Sequence, residues 1–225
     1  MKILAVDTTT NMLTAAVCEQ GRCLGEYAVY NKKAHSQRLM PLLENLLNET
    51  GIPLEHIDLF AAANGPGSFT GIRIGLACIK GLAQVMGKPV AAVSTLAGLA
   101  YNAVGENREV FVLLDGGRRR VYAASYLWDG AGMACVTPPF AAMIDEICGM
   151  LSGRRDIVLA GDGGLLYAKE LGQPCLGGRL CFPMASSVAA AAETVPFINA
   201  SELTAVYISK PQAQRELEKR IQKKE

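Results

Sequence analysis

Two apolar runs, each closed by an aspartate, open the two halves of this chain and set the pattern of each half: Ile3-Leu4-Ala5-Val6 before Asp7, and Val110-Phe111-Val112-Leu113-Leu114 before Asp115. After the first, Thr8-Thr9-Thr10-Asn11 turn the chain into Met12 to Cys18, and Gly21 turns it into Cys23 to Val29, which predicts a three-stranded meander. Leu39, Leu42, Leu43, Leu46 and Leu47 then recur at helical spacing from Ser36 to Asn48, and Gly51 with Pro53 ends the helix. Ile57 to Ala63 is continuously apolar, as expected of a central strand covered on both faces. A helix from Gly71 to Met86, a strand from Pro89 to Val93 and a helix from Ala97 to Val104 complete the first half. The second half repeats the order in worn form. Gly116-Gly117-Arg118 makes the turn, Val121 to Leu127 the second strand, Ala142 to Leu151 a helix, and Ile157 to Ala160 a strand. Gly161-Asp162-Gly163-Gly164 then opens a helix from Leu165.

Two successive mixed sheets joined by right-handed crossovers predict an α/β chain with a duplicated actin-like (ASKHA, ribonuclease H-like) fold, the architecture of actin, sugar kinases and heat-shock ATPases. The expected division is a first lobe over residues 1–105 and a smaller second lobe over 106–225, ending in a polar helix from Gln212 to Glu225.

Charge excludes a global attraction to nucleic acid, because 22 Lys and Arg face 21 Asp and Glu for a net charge of +1. RNA contact therefore has to come from a local patch or a partner, and Arg118-Arg119-Arg120 is the compact basic run of the interior. The seven cysteines form no Cys-x-x-Cys pair and predict reduced, mostly buried thiols of an intracellular protein. The short run before Asp7 is no signal peptide, and no later segment reads as a membrane span, so the expected location is cytoplasmic. His35 and His56 are separated by a whole helix, which excludes a histidine-built metal site. Ser68 lies in no Gly-x-Ser-x-Gly elbow, which leaves hydrolase chemistry without support.

Gly65-Pro66-Gly67-Ser68-Phe69-Thr70-Gly71-Ile72-Arg73-Ile74-Gly75 joins a strand to a helix and invites a phosphate-loop reading. Gly71 is followed by Ile72 and Arg73 rather than by Lys and a hydroxyl residue, so it is no Walker loop. Thr70 stands where a dinucleotide loop needs its third glycine. What remains is the generic attraction of helix N-terminal amides for an anion, with Asp7, Thr8, Gly65, Gly67 and Ser68 as weak contacts. A structural reading uses the helix instead. Gly71, Gly75, Cys78 and Leu82 share a face, and each interior glycine costs about 1 kcal/mol against alanine unless a close neighbour offsets it. That neighbour is either a partner protein or an element of the same domain, with Leu39, Leu43 and Leu46 of the preceding helix, which begins beside His35, as material for both. Asp7, Asp115 and Asp162 at strand ends are candidates for magnesium, and more readily turn formers.

These residues carry a resemblance. Ile3 to Thr9, His35-Ser36 before a leucine-rich helix with Pro41, the Gly65 to Gly75 element and Val121-Tyr122-Ala123 resemble the TsaB (YeaZ) family along nearly the whole chain. The resemblance implies a catalytically silent subunit of tRNA N6-threonylcarbamoyladenosine synthesis, without cofactor or metal. It also implies pairing with the catalytic subunit TsaD, with the ATPase TsaE joining, tRNA met through the complex, and a homodimer when the chain is alone. It implies a partner interface on the first lobe's helices, through His35, Leu39, Leu43, Leu46, Gly71, Gly75, Cys78 and Leu82. On that reading a bulky residue at Gly75 breaks the complex and leaves the monomer folded. Asp115-Gly116-Gly117-Arg118 and Tyr207-Ile208-Ser209-Lys210 depart from the family's usual Asp-Ala-Arg and Tyr-Leu-Arg. The rival reading is an independent actin-like kinase or ATPase using Asp7, Thr8 and the two glycine turns.

Overall fold

A computed structural model of the chain describes residues 1–30 and 35–208. The helix expected from Gln212 to Glu225 lies outside them. The first meander forms as expected: β1 (Lys2–Asp7), β2 (Met12–Glu19) and β3 (Arg22–Tyr30) are antiparallel neighbours. After α1 (His35–Thr50), β4 (Leu59–Ala63) lies parallel to β1, and after α2 (Phe69–Met86), β5 (Val90–Val93) lies parallel to β4. The second sheet repeats this, with β6 (Glu109–Asp115) antiparallel to β7 (Arg120–Trp128) and parallel to β9 (Ile157–Ala160). Its third strand, β8 (Met133–Met143), has no counterpart in the sequence reading. Pro138 and Pro139 interrupt its pattern, and they are tolerated because β8 is an edge strand whose register slips there.

The strand orders β3-β2-β1-β4 and β8-β7-β6-β9 therefore match, and the fold is a duplicated, actin-like α/β structure with two mixed sheets. Alternation along the strands fixes the layers. Leu4, Val6, Leu13, Ala15 and Val17 face α1 and α2, while Ile3, Ala5 and Ala16 face α6 (Ala185–Ala192) on the other side. The second sheet packs Val110, Val112, Ala124 and Tyr126 against α3 (Thr95–Ala100). Its opposite face meets α4 (Ile144–Leu151) and α5 (Gly161–Leu171). The order of layers is helix, sheet, helix, sheet, helix.

The second lobe does not hold all of residues 106–225. α6 packs on β1 and β2, and β10 (Phe197–Ile198) extends the first sheet beside β5. Glu26 of β3 fastens that return by accepting hydrogen bonds from Ser186 N at 3.0 Å and Ser186 Oγ at 2.8 Å. Residues 185–203 thus complete the first lobe, a return that no local pattern in the alanine-rich α6 announces.

Candidate functional site

The β1–β2 turn and the Gly65 to Gly71 loop lie against each other, so the structure brings Asp7, Thr8, Gly67, Ser68 and Gly71 together. They satisfy one another. Thr9 N and Thr9 Oγ1 both donate to Asp7 Oδ1 at 2.7 Å, Ser68 N donates to Thr9 O at 2.6 Å, and Thr8 Oγ1 donates to Gly71 O at 2.7 Å. Ser68 caps α2 through its Oγ, which accepts from Gly71 N at 3.2 Å. The approach is too close for side chains. A Cβ on Gly67 would strike Thr9 O, and one on Gly71 would strike Thr8 O. Gly65 lies equally close to Val206 O, because the chain from Thr204 to Tyr207 straps the loop down. Val206 N donates to Asn64 O at 2.8 Å, and Phe69 stacks at 4.9 Å on Tyr207 with Arg73 over its ring. Burial pushes the Asp7 carboxyl up to about 6 against the two Thr9 hydrogen bonds and the nearby His35 ring.

The corner where helix amides could meet an anion is therefore filled by this chain's own backbone. Asp162 Oδ1 accepts from Asp115 N at 3.0 Å and Gly163 N at 2.8 Å, and Asp115 Oδ1 accepts from Gly117 N at 3.0 Å, so both side chains serve as turn formers. Asp7 is not with them, and among the described residues no three His, Cys, Asp or Glu side chains gather as a metal site would need. Arg119 of the basic run is held by Asp145 at 2.8 Å and by Glu170 at 2.6 Å, so its charge is neutralised within the lobe.

The predicted partner face needs correction. Leu39, Leu43 and Leu46 are 1–2% exposed and belong to the first core. Gly71 and Gly75 face inward, where a Cβ on Gly75 would strike Thr8 Oγ1, so the close neighbour that offsets these glycines is the β1–β2 turn and not another protein. The expectation that a bulky residue at Gly75 leaves the monomer folded falls with it. His35 turns to the same corner, its Nε2 2.8 Å from Thr10 O. Cys78 and Leu82, half-buried, are the members of the predicted set that border the outside.

The outer ridge was missed. Ala77, Gly81 and Val85 follow one another at four-residue spacing on the exposed side of α2, with Val85 79% exposed and nothing within 4 Å of a Cβ on Gly81. Met40 of α1, half exposed, closes the ridge with its sulfur 3.4 Å from Cys78 Sγ. α2 is, by length and composition, apolar enough to cross a membrane, and only a third of it is buried. Its apolar content exceeds what its inner face consumes, and that excess was the signal available in the sequence.

The family described as TsaD, tRNA N6-adenosine threonylcarbamoyltransferase, matches residues 28–154. The Bacillus subtilis tRNA threonylcarbamoyladenosine biosynthesis protein TsaB is 33% identical over 180 residues, covering 80% of this chain and 78% of that one. The chain belongs to the TsaB (YeaZ) family. The Escherichia coli TsaB is 32% identical over 199 residues, covering 84% of each. The YeaZ structure from Pseudomonas aeruginosa superposes with a TM-score of 0.80 at 28% identity, over 92% of this chain and 99% of that one.

Proposed function

We propose that this TsaB-family chain is a non-catalytic scaffold subunit of tRNA N6-threonylcarbamoyladenosine synthesis that binds and activates TsaD. TsaE joins that assembly, and tRNA is met through it. The observation that carries this reading is the outward apolar ridge of Met40, Ala77, Cys78, Gly81, Leu82 and Val85. A small-residue stripe flanked by apolar side chains lets another helix approach closely, and exposed apolar surface of this kind marks protein interfaces. The names of the relatives supply the pathway. The corner around Asp7 speaks against the rival kinase or ATPase, since Ser68 N, Gly71 N and Ile72 N, which would meet a phosphate at the start of α2, already donate to Thr9 O, Ser68 Oγ and Ser68 O. With TsaD absent, the same ridge is expected to pair two copies of this chain.

The test uses Gly81→Leu. Its side chain enters open space, so the monomer keeps its thermal midpoint or gains slightly from the lost glycine. At a close helix contact the added bulk costs about 1–3 kcal/mol, and TsaD affinity falls by about tenfold or more in calorimetric titration. A folded Gly81→Leu variant that binds TsaD normally contradicts the proposed face.

A further inference from the structure

The seven thiols are less uniformly buried than the sequence suggests. Cys18 and Cys181 are buried, Cys78 and Cys175 half-buried, and Cys23, Cys135 and Cys148 exposed. Cys18 and Cys23 are cross-strand neighbours, and Cys175 and Cys181 are in contact, with Cys175 Sγ 3.5 Å from Cys181 Sγ. The contact is built by the backbone on both sides. Cys175 is bridged to Leu159 of β9, where Leu159 N donates to Pro174 O and Leu176 N donates to Leu159 O, both at 2.8 Å. Cys181 ends a short 3-10 turn (Gly178–Cys181) whose flanks are fixed by Asn102, which donates through Nδ2 to Leu180 O at 2.9 Å and to Phe182 O at 2.8 Å. The stretch between α5 and α6 thus leaves the second sheet at Cys175 and is anchored to residue 102, next to α3, at Cys181.

We propose that Cys175 and Cys181 are a redox modification site, closing reversibly to a disulfide when a hydroperoxide reaches the strap between the two lobes. The sulfurs have about 1.5 Å left to travel to an S–S bond, a gap that side-chain rotation can close between anchored backbones. Cys175 is the accessible member and reacts first. Its sulfur attacks the peroxide, the O–O bond breaks, and Cys175 sulfenic acid and water form. Cys181 sulfur then attacks Cys175 sulfur, the S–S bond forms, the S–O bond breaks, and the departing hydroxide leaves with the Cys181 proton as a second water. The two thiols together lose two protons and two electrons, and hydrogen peroxide, the hydroperoxide written here, is reduced to two waters. Exchange with a dithiol reductant reverses the change.

The sequence makes the test direct, because trypsin cuts after Arg179, between the two cysteines. The folded full-length protein is treated with one equivalent of hydrogen peroxide, blocked with iodoacetamide under denaturing conditions and digested without reductant. The expected product joins the peptide holding Cys175 to the peptide holding Cys181, two hydrogens lighter than the reduced pair, and dithiothreitol separates them. Cys175→Ser and Cys181→Ser, each with unchanged circular dichroism, lose the linked product. Recovery of both cysteines as alkylated thiols overturns the proposal. So does sulfinic acid at Cys175 without linkage, or a linkage confined to Cys18 and Cys23, the cross-strand neighbours of β2 and β3.

Discussion

Gly71→Ala lowers the stability of the isolated chain by about 2–3 kcal/mol, although alanine is the better helix former by about 1 kcal/mol. The added methyl points at Thr8 O and Thr8 C from the first turn of α2, and both atoms belong to a buried turn held by Asp7 and Thr9. Relief requires α2 to move off β1, which lengthens the 2.7 Å Thr8 Oγ1 to Gly71 O hydrogen bond and opens the core behind Ile72. In a chain of this size the loss is a fall of about 5–10 °C in the thermal midpoint. Gly81→Ala, in the same helix with open space before it, moves the other way by about 0.5–1 kcal/mol. The opposite signs separate the inner glycine face from the outer one. Equal midpoints for Gly71→Ala and the parent protein contradict the description of the corner.

Asp7→Asn stabilises the protein at pH 8 by up to about 3 kcal/mol relative to its effect at pH 4. The sign follows from burial. Asp7 is raised from 3.8 to about 6 in the folded state, so the folded chain holds a proton that the unfolded chain has released between those values. Stability from this group is present below the unfolded value and is lost as pH rises to the folded one, a span worth about 3 kcal/mol. Asparagine keeps an oxygen for Thr9 N and Thr9 Oγ1 and has no charge to desolvate. Carboxylates held low at the surface by a cation, such as half-buried Glu106 beside Arg108, slope the opposite way in both proteins and cancel in the difference. Urea unfolding at pH 4, 6 and 8 checks this, and a difference between the two proteins that is constant across pH refutes it.

Most of the fold was legible because each lobe begins with local signals. Strand runs ending in aspartate, turn residues at Asn11 and Gly21, and the leucines of α1 all agree with the tertiary structure. β8 was illegible because Pro138 and Pro139 hide an edge strand, and α6 because its alanines carry no facing pattern until the chain has returned to the first sheet. The site was legible in part. That Gly71 and Gly75 of α2 need a close neighbour was correct physics, but spacing alone cannot choose which side of the helix meets this chain's own fold and which, as at Gly81, meets open space. Only the position of Thr8 decides. Leu39, Leu43 and Leu46 show the same ambiguity, since apolar periodicity marks a face to be buried without saying by what.

The scaffold reading is tested most directly by reconstitution. TsaD, TsaE and the enzyme that makes the threonylcarbamoyl adenylate are combined with threonine, bicarbonate, ATP and tRNA, and modified adenosine is measured with no addition, with this protein, and with its Gly81→Leu variant. The account predicts modification with the parent protein, little without it, and a shift to higher protein concentration with the variant. Equal modification in all three reactions contradicts it.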